Sequence, residues 1–128
     1  MSTVPTACAP LALAASLREL WSPAVIGAVD DNYVKVAKVH GTFGWHAHAD
    51  EDELFFVLQG TLVIELEAGA VTLRSGEMTV IPKGMRHNPV AAEECLLLLF
   101  ERKTTAHSGD TVNEHTRSIE QQVAALAR

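Results

Sequence analysis

Membrane-spanning runs, paired cysteines and an excess of basic residues are all missing from this chain of 128 residues. No apolar run reaches the roughly 18 residues that a transmembrane helix requires. Cys8 and Cys95 form no paired spacing, which argues against a disulfide framework or a thiolate zinc site, and both are expected to be buried. The 10 basic and 16 acidic residues give a net charge of -6, which disfavours nucleic acid and membranes as partners.

The length fits one domain with one active site. A chain of this size buries roughly two thirds of its unfolded surface and folds without a structural metal, so a bound metal is free to serve chemistry. No internal repeat or low-complexity linker divides the sequence. The apolar residues 7–15 follow no basic residue and continue into Arg18 and Glu19, so we expect no signal peptide and predict a cytoplasmic protein.

Helical periodicity is confined to the two ends of the chain. A first helix is predicted over residues 11–21, ending before Ser22 and Pro23. Its apolar face consists of Leu13, Leu17, Leu20 and Trp21. A second helix is capped by Thr116 or Ser118. Its apolar positions are Ile119, Val123 and Leu126. We expect both helices to cover a core or a partner subunit.

The middle of the chain predicts an all-β sandwich or barrel, because short apolar runs are separated by glycine or proline at intervals of about eight to twelve residues. The predicted strands are residues 34–39, 54–58, 62–66, 71–73, 78–81 and 95–100. Leu62, Ile64 and Leu66 alternate with Val63, Glu65 and Glu67, which predicts a strand with one buried and one solvent-exposed face. The run 95–100 shows no alternation and must be covered on both faces, inside the sandwich or by another subunit. The predicted organisation is an N-terminal helical or extended arm (1–33), a β-barrel (34–103) and a C-terminal tail with a helix (104–128).

Metal-binding chemistry is indicated first by His46 and His48, because two residues apart on extended backbone their imidazoles project from one face. Glu53 follows five residues after His48 and is in phase with Phe55, toward an interior. A buried unpaired carboxylate is costly, so a cation beside it is expected. The alternative is that both histidines are exposed in a turn and Glu53 merely begins a strand.

His87 favours the metal hypothesis. It follows a strand that must end and bend at Pro82, which cannot donate a ladder hydrogen bond, and at Gly84, which can adopt a positive φ. His87 is then expected to begin the returning strand. Imidazole and carboxylate together suit iron, manganese, nickel, copper, cobalt or zinc.

Residues 41–91 resemble the two sequence motifs of the cupin family. The first motif matches at Gly41, His46, His48, Glu53 and Gly60. The second matches at Gly76, Pro82, Gly84 and His87. Two positions depart from the usual pattern. Gly41 stands five residues before His46 instead of six, which suggests a slightly different entry to the strand, and Ala91 replaces an asparagine that is not a ligand but helps to hold the second turn.

The resemblance implies a double-stranded β-helix, or jelly-roll barrel, that forms a homodimer and binds one divalent transition metal per subunit. The implied ligands are His46, His48, Glu53 and His87, with positions left open for water or substrate. Glu53 is also the implied catalytic base. His40, His107 and His115 are not expected to be ligands, and the acidic residues 50–52 are expected to form a negative rim that favours metal entry. The apolar N-terminal segment and the run 95–100 also favour a homodimer.

Large apolar side chains near the predicted ligands indicate a pocket for a small organic molecule that chelates through oxygen. The candidate lining residues are Phe43, Trp45, Phe55, Met78, Val80 and Phe100, with Arg86 as the nearby cation.

Three functions remain open. The first is a metal-dependent enzyme acting on a small oxygenated substrate, with dioxygenase chemistry for iron, nickel or copper, and isomerase, decarboxylase or lyase chemistry for manganese or zinc. The second is a non-catalytic module that binds a metal or small molecule, for example an accessory protein in a biosynthetic pathway. The third is a barrel that the metal only stiffens.

Overall fold

The computed structural model describes residues 4–126. The elements are α1 (Pro10–Ser16), β1 (Ala24–Val29), β2 (Asn32–Thr42), β3 (Glu53–Gln59), β4 (Thr61–Leu66), β5 (Gly69–Arg74), β6 (Met78–Ile81), β7 (His87–Arg102) and α2 (Ile119–Ala124). All strand pairs are antiparallel. This architecture confirms the predicted all-β jelly-roll barrel with a short helix at each end.

Strand β7 organises the fold because its 16 residues pair with three other strands. Residues 87–90 lie beside β4, which in turn pairs with β5. Residues 95–102 lie against β2, and 96–101 also lie against β3, giving the order β1-β2-β7-β3-β6. Because β7 belongs to both groups of strands, the two groups fold onto each other and enclose one main core.

The main core collects the inward side chains of both strand groups. Leu62 and Ile64 of β4 are fully buried, whereas Glu65 is exposed, which confirms the predicted alternation. Phe55 and Val57 of β3 are buried in the same cluster. Glu53 shares their phase and is also buried, as its position in the strand predicts.

The apolar run of residues 95–100 in β7 is covered differently on its two faces. Leu97 and Leu99 point into the main core. Leu96 points to the opposite face, where Ala14 and Leu17 from the α1 region of the same chain pack on it. Further along that face, residues 98 and 100 remain half-buried. The N-terminal segment therefore covers only part of the outer face.

The first helix is shorter than predicted, ending at Ser16 instead of residue 21. Beyond it, Trp21 adopts a left-handed φ of 58°. The backbone and indole N–H groups of Trp21 donate to the carbonyls of Lys38 and His40, both at 2.9 Å. These contacts with β2 replace helical hydrogen bonds, and Leu20, expected on the buried face, is 38% exposed.

The second helix begins where predicted, with a capping box in which Ser118 Oγ accepts from the backbone N–H of Gln121 at 3.0 Å. Its buried face differs from the prediction. Gln122 is 1% exposed, whereas Val123 is 46% exposed. Gln122 is drawn inward because its side-chain oxygen accepts a hydrogen bond from the buried ammonium group of Lys35.

One further expectation needs correction. Cys95 is buried as predicted, but Cys8 is exposed because it lies in a segment before α1 that packs against nothing in the core. Strand β1 lies within the predicted helical or extended arm, and its Gly27 and Ala28 have weak strand propensity. Pairing with β2, for example between Ala24 and Val36, stabilises it. Within the described residues, no helix is long and apolar enough to cross a membrane.

Candidate metal centre

Three separate segments bring four potential ligands to one point. His46 and His48 lie between β2 and β3, Glu53 is the first residue of β3, and His87 is the first residue of β7. One ligand atom from each lies within 4.8 Å of the others, and all four residues are buried. Glu53 Oε1 is 3.1 Å from His48 Nε2 and 3.4 Å from His87 Nε2. The structure thus brings together the four side chains predicted as ligands.

Backbone hydrogen bonds hold the two motif regions in register. The N–H of His46 donates to the carbonyl of His87 at 3.0 Å, and the N–H of His87 donates to the carbonyl of His46 at 2.9 Å. Gly84 has the positive φ that was predicted, 82°, and donates its N–H to the carbonyl of His48 at 2.7 Å. Each of the two histidine-bearing segments is therefore positioned by the backbone of the other.

The ring hydrogen bonds of two histidines orient their remaining nitrogens. His46 Nδ1 lies 3.0 Å from the carbonyl of Gly44, and His87 Nδ1 lies 2.9 Å from the carbonyl of Met85. A neutral ring that donates from Nδ1 keeps a free lone pair on Nε2, the arrangement typical of metal-binding histidines.

Several buried polar atoms at the centre have no hydrogen-bond partner. They are His87 Nε2, both ring nitrogens of His48, and Glu53 Oε1. The approaches of Glu53 Oε1 to His48 Nε2 and His87 Nε2 do not have hydrogen-bond geometry. Since buried polar groups left unpaired are costly, a cation at their common centre would satisfy them. Three imidazole nitrogens and one carboxylate oxygen fit a divalent transition metal.

Burial and the neighbouring His87 lower the pKa of His46 to about 4, so this ring is neutral at pH 7. Burial also opposes ionisation of Glu53, but the contacts with His48 and His87 outweigh it and hold the pKa of Glu53 below its usual value. In His48, burial favours the neutral ring, yet the contact with Glu53 prevails and raises its pKa. Without a metal, a proton on His48 can therefore partly balance the carboxylate.

Asn88, which the sequence did not single out, stabilises the segment that carries His46 and His48, called the ligand segment below. Its Oδ1 accepts from the backbone N–H of Gly44 at 2.8 Å and from Thr42 Oγ1 at 3.0 Å. Its Nδ2 donates to Glu65 at 2.8 Å. An asparagine directly after His87 therefore supports this turn, while Ala91, at the expected asparagine position, is fully buried. The sequence feature that could have identified Asn88 was its position as a polar residue directly after the predicted ligand His87.

A second buried polar group lies behind Glu53. Glu101 is paired with Glu53 across β3 and β7, and its Oε2 accepts from Lys35 Nζ at 2.9 Å. Lys35 is 1% exposed. Burial and then the charge of Glu53 raise the pKa of Glu101 well above its usual value. Nothing in the sequence separates Lys35 from other lysines such as Lys38, because the burial comes from the packing of β7 and α2.

An apolar cavity lies beside His46 and Glu53. Its empty volume is about 370 Å³, part of it open to solvent, and its lining includes Trp21, Phe43, Phe55 and His107. Phe43 and Phe55 are two of the predicted pocket residues. Trp21 and His107 were not predicted to line it, because they come from segments distant in sequence from the motifs.

The structure places the other five predicted pocket residues outside this cavity. Met78 and Val80 are 49% and 47% exposed, and with Phe100 they belong to the outer face of the sheet, because strand alternation places them opposite the side of Glu53. Trp45 is 39% exposed. Arg86 is also exposed and lies 3.6 Å from the carboxylate of Asp110.

The tail after β7 folds over the ligand segment. The N–H of Ala47 donates to Asp110 Oδ1, and the N–H of Asp110 donates to the carbonyl of Ala47, both at 3.0 Å. His48 lines a separate outer cleft together with Glu51 and Asp110. The centre therefore lies between an apolar cavity and a cleft with acidic walls. Among the residues that the structure describes, His40, His107 and His115 are not part of the ligand cluster.

Comparison with known proteins agrees with this geometry. The family model described as the cupin domain matches residues 32–101. The uncharacterized protein YdbB of Bacillus subtilis is 34% identical over 94 residues, covering 73% of this chain and 83% of that protein. The 3-hydroxyanthranilate 3,4-dioxygenase 2 of Aspergillus fumigatus is 28% identical over 93 residues, which is 68% of this chain but 50% of that enzyme. The crystal structure of a cupin-2 domain containing protein from Shewanella frigidimarina superposes with a TM-score of 0.67 at 46% identity, covering 69% of this chain and 86% of that one. This chain belongs to the cupin family.

Proposed function

We propose that this cupin is a metal-dependent enzyme acting on a small oxygenated organic substrate, with dioxygenase chemistry or isomerase or lyase chemistry. The observation that carries the proposal is the cluster of buried, unpartnered ligand atoms from His48, Glu53 and His87 beside an apolar cavity. With His46, these residues would hold one ion of iron, manganese, nickel, zinc, copper or cobalt. When bound, the metal would supply Lewis-acid or redox chemistry.

The chain's own residues have separable roles in this proposal. His46 and Glu53 line the cavity and would face the substrate. The low pKa of His46 keeps its ring available as a ligand at neutral pH. Glu53 is the anionic ligand and the proposed catalytic base. Phe43 and Phe55 would exclude water and orient an apolar body. The similarity to the Aspergillus dioxygenase supports the dioxygenase version of the proposal.

A non-catalytic binding module is the alternative, and one observation favours it. The tail covers the ligand segment through the paired hydrogen bonds of Ala47 and Asp110. Metal sites closed to solvent are typical of structural roles, whereas catalytic sites keep an open position. The tail narrows access to the ligands, which would suit an accessory protein that holds a metal without turnover.

Elemental analysis of protein purified without chelator or histidine tag tests the proposal. We expect about one transition metal per chain in the wild type and in His40→Ala, whose side chain is exposed and outside the cluster. His46→Ala should lose both metal and turnover while keeping the wild-type circular dichroism. Metal content or activity retained in His46→Ala would contradict the enzyme proposal. A molecule that raises the melting temperature but is recovered unchanged would favour the binding module.

We also propose a homodimer formed through the outer face of the β1-β2-β7-β3-β6 sheet. Strand register aligns one apolar row across four strands, consisting of Val34, Phe100, Leu54 and Val80. The adjacent row consists of Leu98, Phe56 and Met78, while Val36 at its end is already buried against the α1 region. A contiguous, partly exposed apolar surface is typical of an interface, and the same face on a second copy is self-complementary about a twofold axis.

Sedimentation velocity at micromolar concentration tests the dimer. The wild type should sediment as a dimer, and Met78→Glu combined with Val80→Glu should give a folded monomer. Val123→Glu is the control, because Val123 is similarly exposed, at 46%, but lies on α2. A monomeric wild type would contradict the proposal. The cytoplasmic location stays a prediction.

A further inference from the structure

His107 is a buried histidine in the cavity wall that has no role in the metal cluster. Its ring centroid lies 5.7 Å from that of Phe43, and the residue is 6% exposed. It lines the same cavity as His46 and Glu53. The tail, whose hydrogen bonds to Ala47 hold it over the ligand segment, brings His107 to this position.

The hydrogen bonding of His107 determines its tautomer. The backbone N–H of Arg117 donates to His107 Nε2 at 2.7 Å. A neutral ring that accepts at Nε2 carries its proton on Nδ1. Burial, and next the charge of Lys35, lower the pKa of His107 to about 4, so the ring is neutral at pH 7. Among residues 4–126, nothing accepts a hydrogen bond from Nδ1.

Metal ligation does not explain this arrangement. His107 lies outside the cluster of four ligand atoms, and the lone pair of its Nε2 is already engaged by Arg117. A donor in the cavity wall without an acceptor in the protein can donate to a molecule that enters the cavity. The cavity is the space in which that molecule would lie.

We propose that His107 is a substrate-binding residue that donates its Nδ1–H to an uncharged oxygen of the substrate. The inference rests on the proposed function, because a second oxygen of the same molecule would bind the metal. Part of the cavity's volume of about 370 Å³ is open to solvent, and the free space inside it is only about 30 Å³, so only a small group of the substrate fits within it. None of the residues lining the cavity is cationic, so a carboxylate would be buried there without a partner. The substrate class is a compact, apolar molecule with a metal-binding oxygen and a separate neutral acceptor, such as a carbonyl or ether.

Matched catechols test this role through affinity and not through turnover. The probes are methyl-, methoxy- and formyl-catechols substituted at ring position 3 or 4, titrated into zinc-loaded protein by calorimetry. The methyl compound fills similar space without an acceptor. The wild type should bind at least one methoxy or formyl compound about threefold to tenfold more tightly than its methyl counterpart, as expected for one hydrogen bond.

His107→Phe should abolish that preference, because phenylalanine preserves the ring packing and removes the donor. His115→Phe is the control. The ring of His115 lies 5.6 Å from that of Phe43, but this residue does not line the cavity. The preference should survive in His115→Phe. A preference that is absent from the wild type, retained in His107→Phe, or lost equally in both variants would overturn the role of His107, as would failure of every catechol to bind.

A measurement on the wild type covers the case in which His107→Phe does not fold. In ¹⁵N-labelled zinc-loaded protein, the Nδ1 resonance of His107 should carry a proton and should shift when the acceptor-bearing catechol binds, but not with the methyl compound. An unprotonated Nδ1 or an unchanged resonance would overturn the inference. Failure of the wild type to bind zinc would instead contradict the proposed metal centre, which separates the two proposals.

Discussion

The α-carbon of Gly109 lies against the carbonyl group of Ala47, between the ligand candidates His46 and His48, so closely that an added Cβ would overlap the carbonyl oxygen. Gly109 also has a φ of +61°. Only glycine fits this crossing of the tail over the ligand segment.

Gly109→Ala should therefore lower both the free energy of unfolding and the affinity for metal. The positive φ alone costs about 1–2 kcal/mol for a residue with a Cβ, and the overlap with Ala47 adds to this. Gly76→Ala measures the cost of the positive φ alone, because Gly76 has a φ of +86° and an added Cβ would meet nothing within 4 Å. Urea unfolding and a competition assay for zinc measure the two quantities. Equal losses in both variants would contradict the close packing at Ala47.

The buried pair of Lys35 and Glu101 predicts a strong effect of removing one partner. Lys35→Met leaves the Glu101 carboxyl group buried without its cation and should lower the free energy of unfolding by about 3–5 kcal/mol. The double variant Lys35→Met with Glu101→Leu should recover most of that loss, since an apolar pair needs no hydrogen bonds.

Lys38→Met is the control for this prediction, because Lys38 lies on the same strand but is only half-buried. Its effect should be much smaller. Chemical unfolding of the four proteins provides the comparison. A double variant less stable than Lys35→Met would contradict this prediction. It would show that the Lys35–Glu101 ion pair makes a net stabilising contribution to the fold.

Stability should decrease in mildly acidic solution because His107 resists protonation in the folded state. The pKa of His107 is about 4 when folded, against an ordinary value of 6.5 in the unfolded chain. Between these pH values the unfolded chain binds more protons, so stability rises with pH across this window. The contribution is complete above pH 6.5, is lost as the pH falls toward 4, and amounts to about 3 kcal/mol at most.

Unfolding of metal-free protein at pH 7 and pH 5 measures this effect. His46 acts in the same direction, so the wild type alone does not isolate His107. The loss of stability between the two pH values should be smaller in His107→Phe than in the wild type. Equal losses would indicate that the ring of His107 titrates normally.

Asn88→Ala should weaken the centre without touching a ligand atom. It removes the acceptor of Gly44 and Thr42 and the donor to Glu65, so we expect a loss of about 1–3 kcal/mol in stability together with weaker zinc binding. Asn32→Ala is the control, because Asn32 is half-buried on β2 and is remote from these contacts. An Asn88→Ala protein with unchanged zinc affinity would show that the hydrogen bonds of Asn88 stabilise the fold but not the metal centre.

Local pattern was sufficient to predict most strands and the four ligand candidates. Strand alternation places Glu53 on the side of Phe55, and the local preferences of Pro82 and Gly84 turn the chain so that His87 begins β7. These features depend on neighbours along the chain, so they can be read from the chain alone. The family resemblance rests on the same residues.

Contacts between distant segments decided the rest. Trp21 leaves its predicted helix because β2 offers two acceptors, and Lys35 is buried because Glu101 and Gln122 meet it from β7 and α2. The exposure of Met78 could not be predicted from its apolarity, because the face that becomes interior depends on which sheet packs against it.

The sequence by itself determined where strands alternate, where they turn and which side chains could bind a metal. Only the tertiary structure decided which of the apolar candidates line the cavity, and it placed His107 there although nothing in its surroundings along the chain marks it. The physical reason is that periodicity and turn preference act over a few residues, whereas burial and hydrogen-bond satisfaction depend on segments that meet only after the chain has folded.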